Sequence, residues 1–138
     1  KNKFPTNKAI LKMDDEKLRG IGLSYQKLSY IKNIASFFDE KKLNQTNWNE
    51  HTDEEIAKLL IQIKGVGQWT TEMVLMFGLS RPDVFSPGDY GIQMAMKKLY
   101  NLKLEGKELQ KKMIQIAEKW RPHSSYACMY LWAWKDTK

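Results

Sequence analysis

Cysteine and histidine are scarce in this chain of 138 residues, which holds one cysteine, Cys128, and two histidines, His51 and His123. A single cysteine cannot close a disulfide within the chain, and it cannot supply the four thiolates of an iron–sulfur loop. The histidines lie far apart in sequence, so they form no cluster with the ligand spacing of a zinc site. We therefore expect neither an iron–sulfur cluster nor a structural metal held by side chains.

Long apolar runs are missing as well. No stretch of about 18 uncharged apolar residues occurs, and no charged segment followed by an apolar one opens the chain, as it would in a signal peptide. We expect no membrane association and a cytoplasmic location. The first residue is Lys1 rather than methionine, which suggests a fragment of a longer protein.

Positive charge is what the sequence has in excess. Lysine and arginine number 23 against 16 acidic residues, which gives a formal net charge of +7 and an isoelectric point near 9.4. This balance favours a polyanionic partner such as nucleic acid, although many basic proteins bind none. Charge alone therefore leaves nucleic-acid binding open.

Period-two alternation of apolar and polar residues is absent, whereas helical spacing runs through most of the chain. The helical pattern of residues 53–63 begins at the cap candidates Thr52 and Asp53, and Glu55 is in the position of a capping box. From Ser24, one apolar stripe comprises Tyr25, Leu28, Ile31, Ala35 and Phe38. Helices are predicted over residues 24–38, 53–63, 68–77, 89–99, 106–119 and 122–134, the last with Pro122 in its first position. The prediction is one compact, all-α domain over residues 1–138.

The stretch Gly65-Val66-Gly67 joins two apolar helices with almost no linker and predicts a helical hairpin over residues 53–78. Glycines on both sides of Val66 permit positive φ and the close approach of another backbone. The N–H groups that open the next helix carry the positive end of its dipole, so a phosphate fits there. A plain helical hairpin with a glycine turn explains the same spacing.

Asp89 lies in the loop of residues 79–91, directly after Pro87 and Gly88, which places it at or near the N-cap of the next helix. A carboxylate in that position commonly does nothing more than cap free N–H groups. If this helix packs beside the hairpin, however, Asp89 lies near the phosphate-binding turn, where the helix dipole keeps it ionised. The spacing alone leaves both interpretations open.

Two segments together resemble a known family. The run "IKGVGQWTTEMVLMFGL" followed by "DVFSPGDYGIQMAM" resembles the helix–hairpin–helix motif and the Gly/Pro-rich loop with aspartate of the HhH-GPD base-excision DNA glycosylases. Within that superfamily, "GQWTTE", "DVFSPGDYGI" and "WRPHSSYACMYLW" are most similar to the alkylpurine type, 3-methyladenine DNA glycosylase II. The resemblance covers nearly the whole chain and implies the multi-helix HhH-GPD core of those enzymes.

The resemblance implies that Asp89 is the catalytic carboxylate, which stabilises positive charge on the sugar as the N-glycosidic bond breaks. It implies a base pocket, although a tryptophan is more often a core residue, and periodicity places Met73, Tyr25 and Tyr126 equally well in the core. The pocket residues would be Trp69, Trp132, Met73, Tyr25 and Tyr126. The phosphate-binding hairpin would comprise Lys64, Gly65, Val66, Gly67, Gln68 and Thr70, and a Na⁺ or K⁺ ion would bind the carbonyls of Ile61, Ile63 and Val66.

Departures from the family pattern refine the expectation. Bifunctional relatives carry a Schiff-base lysine two residues after the second hairpin glycine, and that position is Trp69 here. The resemblance therefore implies a monofunctional enzyme that acts, as a monomer, on duplex DNA containing damaged bases and leaves an abasic site. The family's upstream helix pair, whose tip wedges into the gap left by the flipped nucleotide, and the N-terminal β-rich domain of many members have no counterpart in these residues.

Two other functions fit the same residues. A non-catalytic helix–hairpin–helix module would bind DNA through the glycines and basic surface, and a basic helical domain could instead bind a protein. Asp89 distinguishes an enzyme from the non-catalytic DNA-binding module, because a carboxylate near DNA repels phosphate and a pure binding module has no use for it.

Overall fold

Helices make up the regular secondary structure in the computed structural model, which describes the backbone of residues 4–136 and the side chains of residues 4–135. Within this part of the chain no strand occurs, and the predicted all-α class is confirmed. No described helix is long and apolar enough to cross a membrane. The α-helices are α1 (Asn7–Lys12), α2 (Asp15–Gly20), α3 (Tyr25–Glu40), α4 (Asp53–Leu60), α5 (Gln68–Met73), α6 (Tyr90–Tyr100), α7 (Gly106–Ala117) and α8 (Ser124–Asp136).

Backbone packing divides the chain after Gly67 into two units. The first unit contains α1 to α4, together with short 3₁₀ turns at Leu43–Gln45 and Trp48–Glu50. The second contains α5 to α8, a π-helical segment at Val74–Gly78 and a 3₁₀ turn at Glu118–Trp120. One domain over residues 1–138 stays a prediction.

Side-chain caps start the helices of the first unit. The capping box predicted for α4 is confirmed, because Thr52 Oγ1 accepts the Glu55 N–H at 3.2 Å and the Glu55 carboxylate accepts the Thr52 N–H at 2.8 Å. Helices α1 and α2 are missing from the sequence prediction. Each has six residues and at most one buried side chain, Leu18 in α2, so neither carries an apolar stripe.

The predicted helix over residues 24–38 is confirmed as α3, although Ser24 is its N-cap and not its first residue, and Leu28 and Ala35 of the predicted stripe are buried. Tyr25 is 63% exposed, so its assignment to that stripe is wrong. Its hydroxyl accepts a hydrogen bond from Arg19 Nη1 at 2.6 Å, and the guanidinium carbon lies 3.8 Å from the ring centroid. As the first residue of α3, Tyr25 turns toward the end of α2 rather than inward.

Helix α4 ends at Leu60, three residues before the predicted end. The Ile63 N–H donates to the Leu60 carbonyl three residues earlier, and the Val66 N–H donates to the Ile63 carbonyl at 2.9 Å. These tight turns lead to Gly65, whose φ of +100° lies outside the helical region. Ile63 is 3% exposed, so its apolar character reflects burial in the turn and not a continued helix.

In the second unit, α6 packs against both α7 and α8. The side chains of Ile92, Met96, Leu109, Met113 and Cys128 have almost no exposed surface. Full burial of a large apolar side chain stabilises a fold by about 1.5–3 kcal/mol. This core holds α6, and therefore the residue that caps it, in a fixed position within the unit.

The predicted helix over residues 68–77 is α-helical only as far as Met73. It continues as the π-helical segment, in which the Leu79 N–H donates to the Val74 carbonyl at 2.9 Å. The wider turn accommodates one extra residue, and such turns occur often at functional sites. Apolar spacing does not distinguish it from an ordinary helical turn.

Helix α8 begins at Ser124 and not at Pro122 as predicted. The His123 carbonyl accepts the Ala127 N–H, and the Asp83 carboxylate accepts the Ser124 N–H at 3.3 Å. The cap is therefore a side chain 41 residues earlier in the chain. Local sequence signals at Pro122 carry no information about that contact.

Candidate active site

Asp89 is the N-cap of α6, as its position after Pro87 and Gly88 predicts. Its backbone is extended, and its carboxylate oxygen Oδ1 accepts the N–H of Ile92 at 2.8 Å. The capping interpretation is therefore confirmed, but it accounts for only one of the contacts that this carboxylate makes.

Two tryptophans also donate to Asp89. The indole N–H of Trp132 donates to Oδ1 at 2.8 Å, and the indole N–H of Trp69 donates to Oδ2 at 2.8 Å. Residues 20 positions before and 43 positions after Asp89 thus converge on one carboxylate. A residue that only capped a helix would not need either indole.

The hydrogen bonds keep Asp89 ionised. Burial raises the pKa of Asp89, but the N–H groups of Ile92, Trp132, Trp69 and Gly91 stabilise the charged form and together hold the pKa below its ordinary value. At neutral pH this side chain is therefore an anion. It is only partly buried, so the charge remains within reach of a ligand.

Gly91 provides the space for one of these donors. A Cβ atom at this position would lie 3.0 Å from Trp132 Cδ1 and 3.1 Å from Asp89 Oδ1, which is closer than side chains normally pack. The absence of a side chain in the first turn of α6 thus lets the Trp132 indole reach the carboxylate. No pattern in the sequence indicates this role of Gly91.

Buried serines anchor the loop that leads to Asp89. Ser125 Oγ accepts the Val84 N–H at 2.9 Å and donates to the Arg81 carbonyl at 2.7 Å. Ser124 Oγ donates to Asp83 Oδ1 at 2.6 Å. Both serines are at most 3% exposed. Sequence reasoning missed them, and the only available signal was an adjacent pair of polar residues entering the apolar helix α8.

An exposed aromatic surface adjoins the carboxylate. Trp69 is 52% exposed, and Phe77, which sequence reasoning missed, is 58% exposed. The Phe77 ring centroid lies 5.9 Å from that of Trp132, with the planes inclined at 33°. Phe77 lies in the π-helical segment. Because it stands in an apolar run, periodicity did not indicate that its side chain is exposed.

The other predicted pocket residues differ in placement. Met73 is half-buried in α5, one turn after Trp69. Tyr126 is 52% exposed on α8, and its ring lies 6.1 Å from that of His123. Tyr25 belongs to the first unit, where it contacts Arg19. The structure therefore brings Trp69 and Trp132 together at Asp89, and the assignment of Met73, Tyr25 and Tyr126 to the pocket stays a prediction.

The hairpin turn is supported by α3. A Cβ atom on Gly65 would overlap the ring of Tyr30, at 2.2 Å from Cδ1, and Asn33 Nδ2 donates to the Lys64 carbonyl at 3.0 Å. Of the two glycines expected to use positive φ, only Gly65 does so. A Cβ atom on Gly67 would meet no described atom within 4 Å, so this face of the turn is open.

The remaining hairpin candidates are less constrained. Lys64 is exposed and Thr70 is half-buried, while Gln68 donates to Glu72 Oε1 at 3.0 Å. Among the carbonyls predicted to bind a cation, that of Ile63 accepts the Val66 N–H and keeps one lone pair. Within residues 4–136, no three His, Cys, Asp or Glu side chains lie close enough together to hold a metal ion.

Gly65→Ala should destabilise the protein, because its left-handed backbone costs about 1–2 kcal/mol for a residue with a side chain and the new methyl group would overlap Tyr30. We expect a loss of at least about 1 kcal/mol in urea denaturation followed by circular dichroism. Gly67→Ala is the matched control and should change stability by less than about 0.5 kcal/mol. Equal stabilities for the two variants would contradict the assigned turn geometry.

Trp132→Phe should raise the pKa of Asp89, because it removes a donor that stabilises the charged carboxylate. Since the folded-state pKa lies below the unfolded one, ionised Asp89 stabilises the fold above the unfolded pKa, and this stabilisation disappears as pH falls through the folded pKa. In Trp132→Phe, the stabilisation of the fold by ionised Asp89 should therefore be lost at a higher pH than in the unmodified protein. The check is a ¹³C NMR titration of the Asp89 carboxyl, with Trp134→Phe as the control that leaves the titration unchanged.

Comparison with known proteins places this geometry in a family. Residues 1–122 match the model of the HhH-GPD superfamily base excision DNA repair proteins. The chain is 36% identical to the Bacillus subtilis protein YfjP over 94% of this chain and 44% of that protein. It is 35% identical to DNA-3-methyladenine glycosylase 1 of Schizosaccharomyces pombe over 94% of this chain and 56% of the relative. The chain thus spans about half the length of the curated relatives it matches.

Solved structures agree with the sequence comparison. The 3-methyladenine DNA glycosylase Mag1 of Schizosaccharomyces pombe, in complex with abasic DNA, superposes with a TM-score of 0.84 and 32% identity over 99% of this chain and 68% of that one. A DNA-3-methyladenine glycosidase from Bacillus halodurans gives a TM-score of 0.77 and 34% identity over 97% of this chain and 61% of that one. By sequence and by fold, the chain belongs to the HhH-GPD superfamily of base excision DNA repair proteins.

Proposed function

We propose that this chain carries the active site of a monofunctional DNA glycosylase, which hydrolyses the N-glycosidic bond of alkylated purines of the 3-methyladenine type in duplex DNA and leaves an abasic site. The observation that carries the proposal is Asp89, an ionised carboxylate with an N–H donor on each oxygen, next to exposed aromatic rings. The names of the relatives from Schizosaccharomyces pombe and Bacillus halodurans support the substrate class.

In the proposed reaction Asp89 acts as a fixed negative charge. Positive charge develops on the sugar as its bond to the purine breaks, and an anion held in place before the reaction stabilises that state without reorganising. Oδ1 accepts the N–H groups of Ile92 and Trp132, and Oδ2 accepts that of Trp69. A carboxylate oxygen has two lone pairs, so Oδ2 would accept a hydrogen bond from the attacking water beside that of Trp69.

The leaving base needs no general acid. An alkylated purine is already cationic, so the bonding electron pair leaves with the base and neutralises it. The water oxygen forms the new bond to the sugar carbon, and its proton passes to solvent. One carboxylate is therefore sufficient, whereas ordinary glycoside hydrolysis uses two.

The base pocket would be aromatic. Trp69, Trp132 and Phe77 offer rings beside Asp89, and a cationic base over a tryptophan face gains about 2 kcal/mol when water is excluded. The indole N–H groups are directed at the carboxylate, which orients both rings and leaves ring faces for stacking. Met73, Tyr126 and Tyr25 stay candidates for the rest of this pocket.

DNA would be held by the hairpin. As the resemblance to the family implies, the phosphate-binding residues would be Lys64, Gly65, Val66, Gly67, Gln68 and Thr70, because N–H groups that open a helix suit a phosphate. The carbonyls of Ile61, Ile63 and Val66 would hold a Na⁺ or K⁺ ion, which when bound would add positive charge toward the same phosphate. A monomeric enzyme of this kind works wherever the genome lies, in the bacterial cytoplasm or a nucleus.

Asp89→Asn should lower base excision by at least about 10²-fold, because it removes the charge that stabilises the sugar cation. The measurement is single-turnover release of 3-methyladenine from alkylated duplex DNA by the full-length protein. Asp14→Asn is a matched control, since Asp14 is likewise an N-cap and accepts the N–H groups of Glu16 and Lys17. The control should excise at the unmodified rate.

Both aspartate variants should melt within a few degrees of each other, since each retains an oxygen that can cap its helix. DNA affinity of Asp89→Asn should persist or increase, because a negative charge near phosphate is lost. Excision within a few-fold of the unmodified protein would return Asp89 to a capping role and favour a non-catalytic DNA-binding module.

Borohydride should trap no covalent adduct between the protein and DNA during excision. Trp69 stands where a Schiff-base amine would have to be, so no imine forms between the protein and the sugar. Strand breaks should appear only after the product is treated with alkali or heat. The check is denaturing electrophoresis of labelled DNA, and a trapped complex of protein and DNA would refute the monofunctional assignment.

A further inference from the structure

Glu72 is a buried carboxylate in α5, one turn after Trp69, and the proposed reaction does not use it. Only 5% of its surface is exposed. Burying a charge is costly unless hydrogen bonds compensate. Both oxygens have a donor here, since Oε1 accepts Gln68 Nε2 at 3.0 Å and Oε2 accepts Ser86 Oγ at 2.5 Å.

Ser86 connects Glu72 to the Asp89 loop. Its side chain is fully buried, and its carbonyl accepts the backbone N–H of Asp89 at 3.2 Å. Two hydrogen bonds therefore link the Glu72 carboxylate to the main chain of Asp89, through a single residue. The hydrogen bonds of Ser125 with Val84 and of Asp83 with Ser124 hold an earlier part of the same loop. They do not involve Ser86 or Asp89.

Helix α5 thus holds Asp89 at two points. The Trp69 indole fixes the side chain through Oδ2, and Glu72 fixes the main chain through Ser86. Trp69 and Glu72 lie three residues apart, on the same face of the helix. Because α5 holds both the main chain and the side chain of Asp89, the carboxylate cannot shift along the loop or rotate away from the Trp69 indole.

We propose that Glu72 is a positioning residue, which sets the location of the Asp89 carboxylate by clamping Ser86 to α5. Its catalytic consequence rests on the proposed glycosylase function, whereas its geometric consequence does not. Glutamine at this position can preserve the clamp without the charge, since a serine hydroxyl and a glutamine amide can each donate or accept. Alanine removes the clamp and leaves the Ser86 hydroxyl buried without its acceptor.

The test follows the indole N–H resonances of Trp69 and Trp132 by ¹H–¹⁵N NMR, with assignments from Trp69→Phe and Trp132→Phe. In Glu72→Ala, the Trp69 resonance should move upfield, because its bond to a displaced Asp89 weakens, and the Trp132 resonance should change as well. Glu72→Gln should leave both near their original positions. Glu108→Gln, which removes a charge from the exposed surface of α7, is the control and should leave both unchanged.

Excision by the full-length protein supplies the second measurement. Glu72→Ala should lower the single-turnover rate at saturating DNA by at least about 10-fold, since small displacements of a reacting group are costly. Its affinity for abasic DNA should stay within about two-fold, and Glu72→Gln should recover most of the rate. If Glu72→Ala does not fold, Ser86→Ala tests the same clamp with a smaller change, and the same shifts are expected.

The outcomes separate the two claims. Unmoved indole resonances in folded Glu72→Ala or Ser86→Ala would overturn the positioning role even if the protein is an active glycosylase. A Glu72→Gln variant as impaired as Glu72→Ala would also overturn it, because the charge and not the clamp would then matter. If the resonances move but the unmodified protein excises no alkylated base, the positioning role stands and the proposed function fails.

Discussion

Two indole N–H groups donating to one carboxylate are the contact on which the second unit's geometry depends. Asp89 begins α6, Trp69 lies in α5 and Trp132 lies in α8, so the contact joins three helices at a single point. Without these donors, a partly desolvated carboxylate would have a raised pKa and would take up a proton more readily. The same hydrogen bonds that keep Asp89 charged also orient the aromatic rings beside it.

Polar groups behind the site make that arrangement rigid. Glu72 and Ser86 act on one end of the loop and Ser124 and Ser125 on the other, and all four are buried. A buried polar group that loses its hydrogen-bond partner destabilises the fold, so each of these hydrogen bonds is strongly favoured. The loop between the π-helical segment and α6 has no regular structure, yet its backbone has little freedom where Asp89 begins the helix.

Sequence patterns predicted those parts of the site that local chemistry determines. Proline and glycine before Asp89 identified it as an N-cap, and the glycine pair identified the turn, because both signals lie within a few residues. Contacts between distant residues were beyond reach. The donation of Trp132 to Asp89, the support of Gly65 by Tyr30 and the cap that Asp83 gives α8 all depend on tertiary packing. The resemblance to the glycosylases implied a place for Trp69 in the base pocket, but no pattern indicated that its N–H group donates to the carboxylate.

In the proposed reaction, Asp89 is an anion held in place to stabilise a positively charged sugar. The most direct measurement compares binding of two duplexes, one with a cationic pyrrolidine and one with a neutral tetrahydrofuran in place of the damaged nucleoside's sugar. The full-length protein should bind the cationic duplex more tightly by at least about 10-fold, and Asp89→Asn should abolish that preference. Equal affinity of the unmodified protein for the two duplexes would show that Asp89 does not stabilise a cationic sugar.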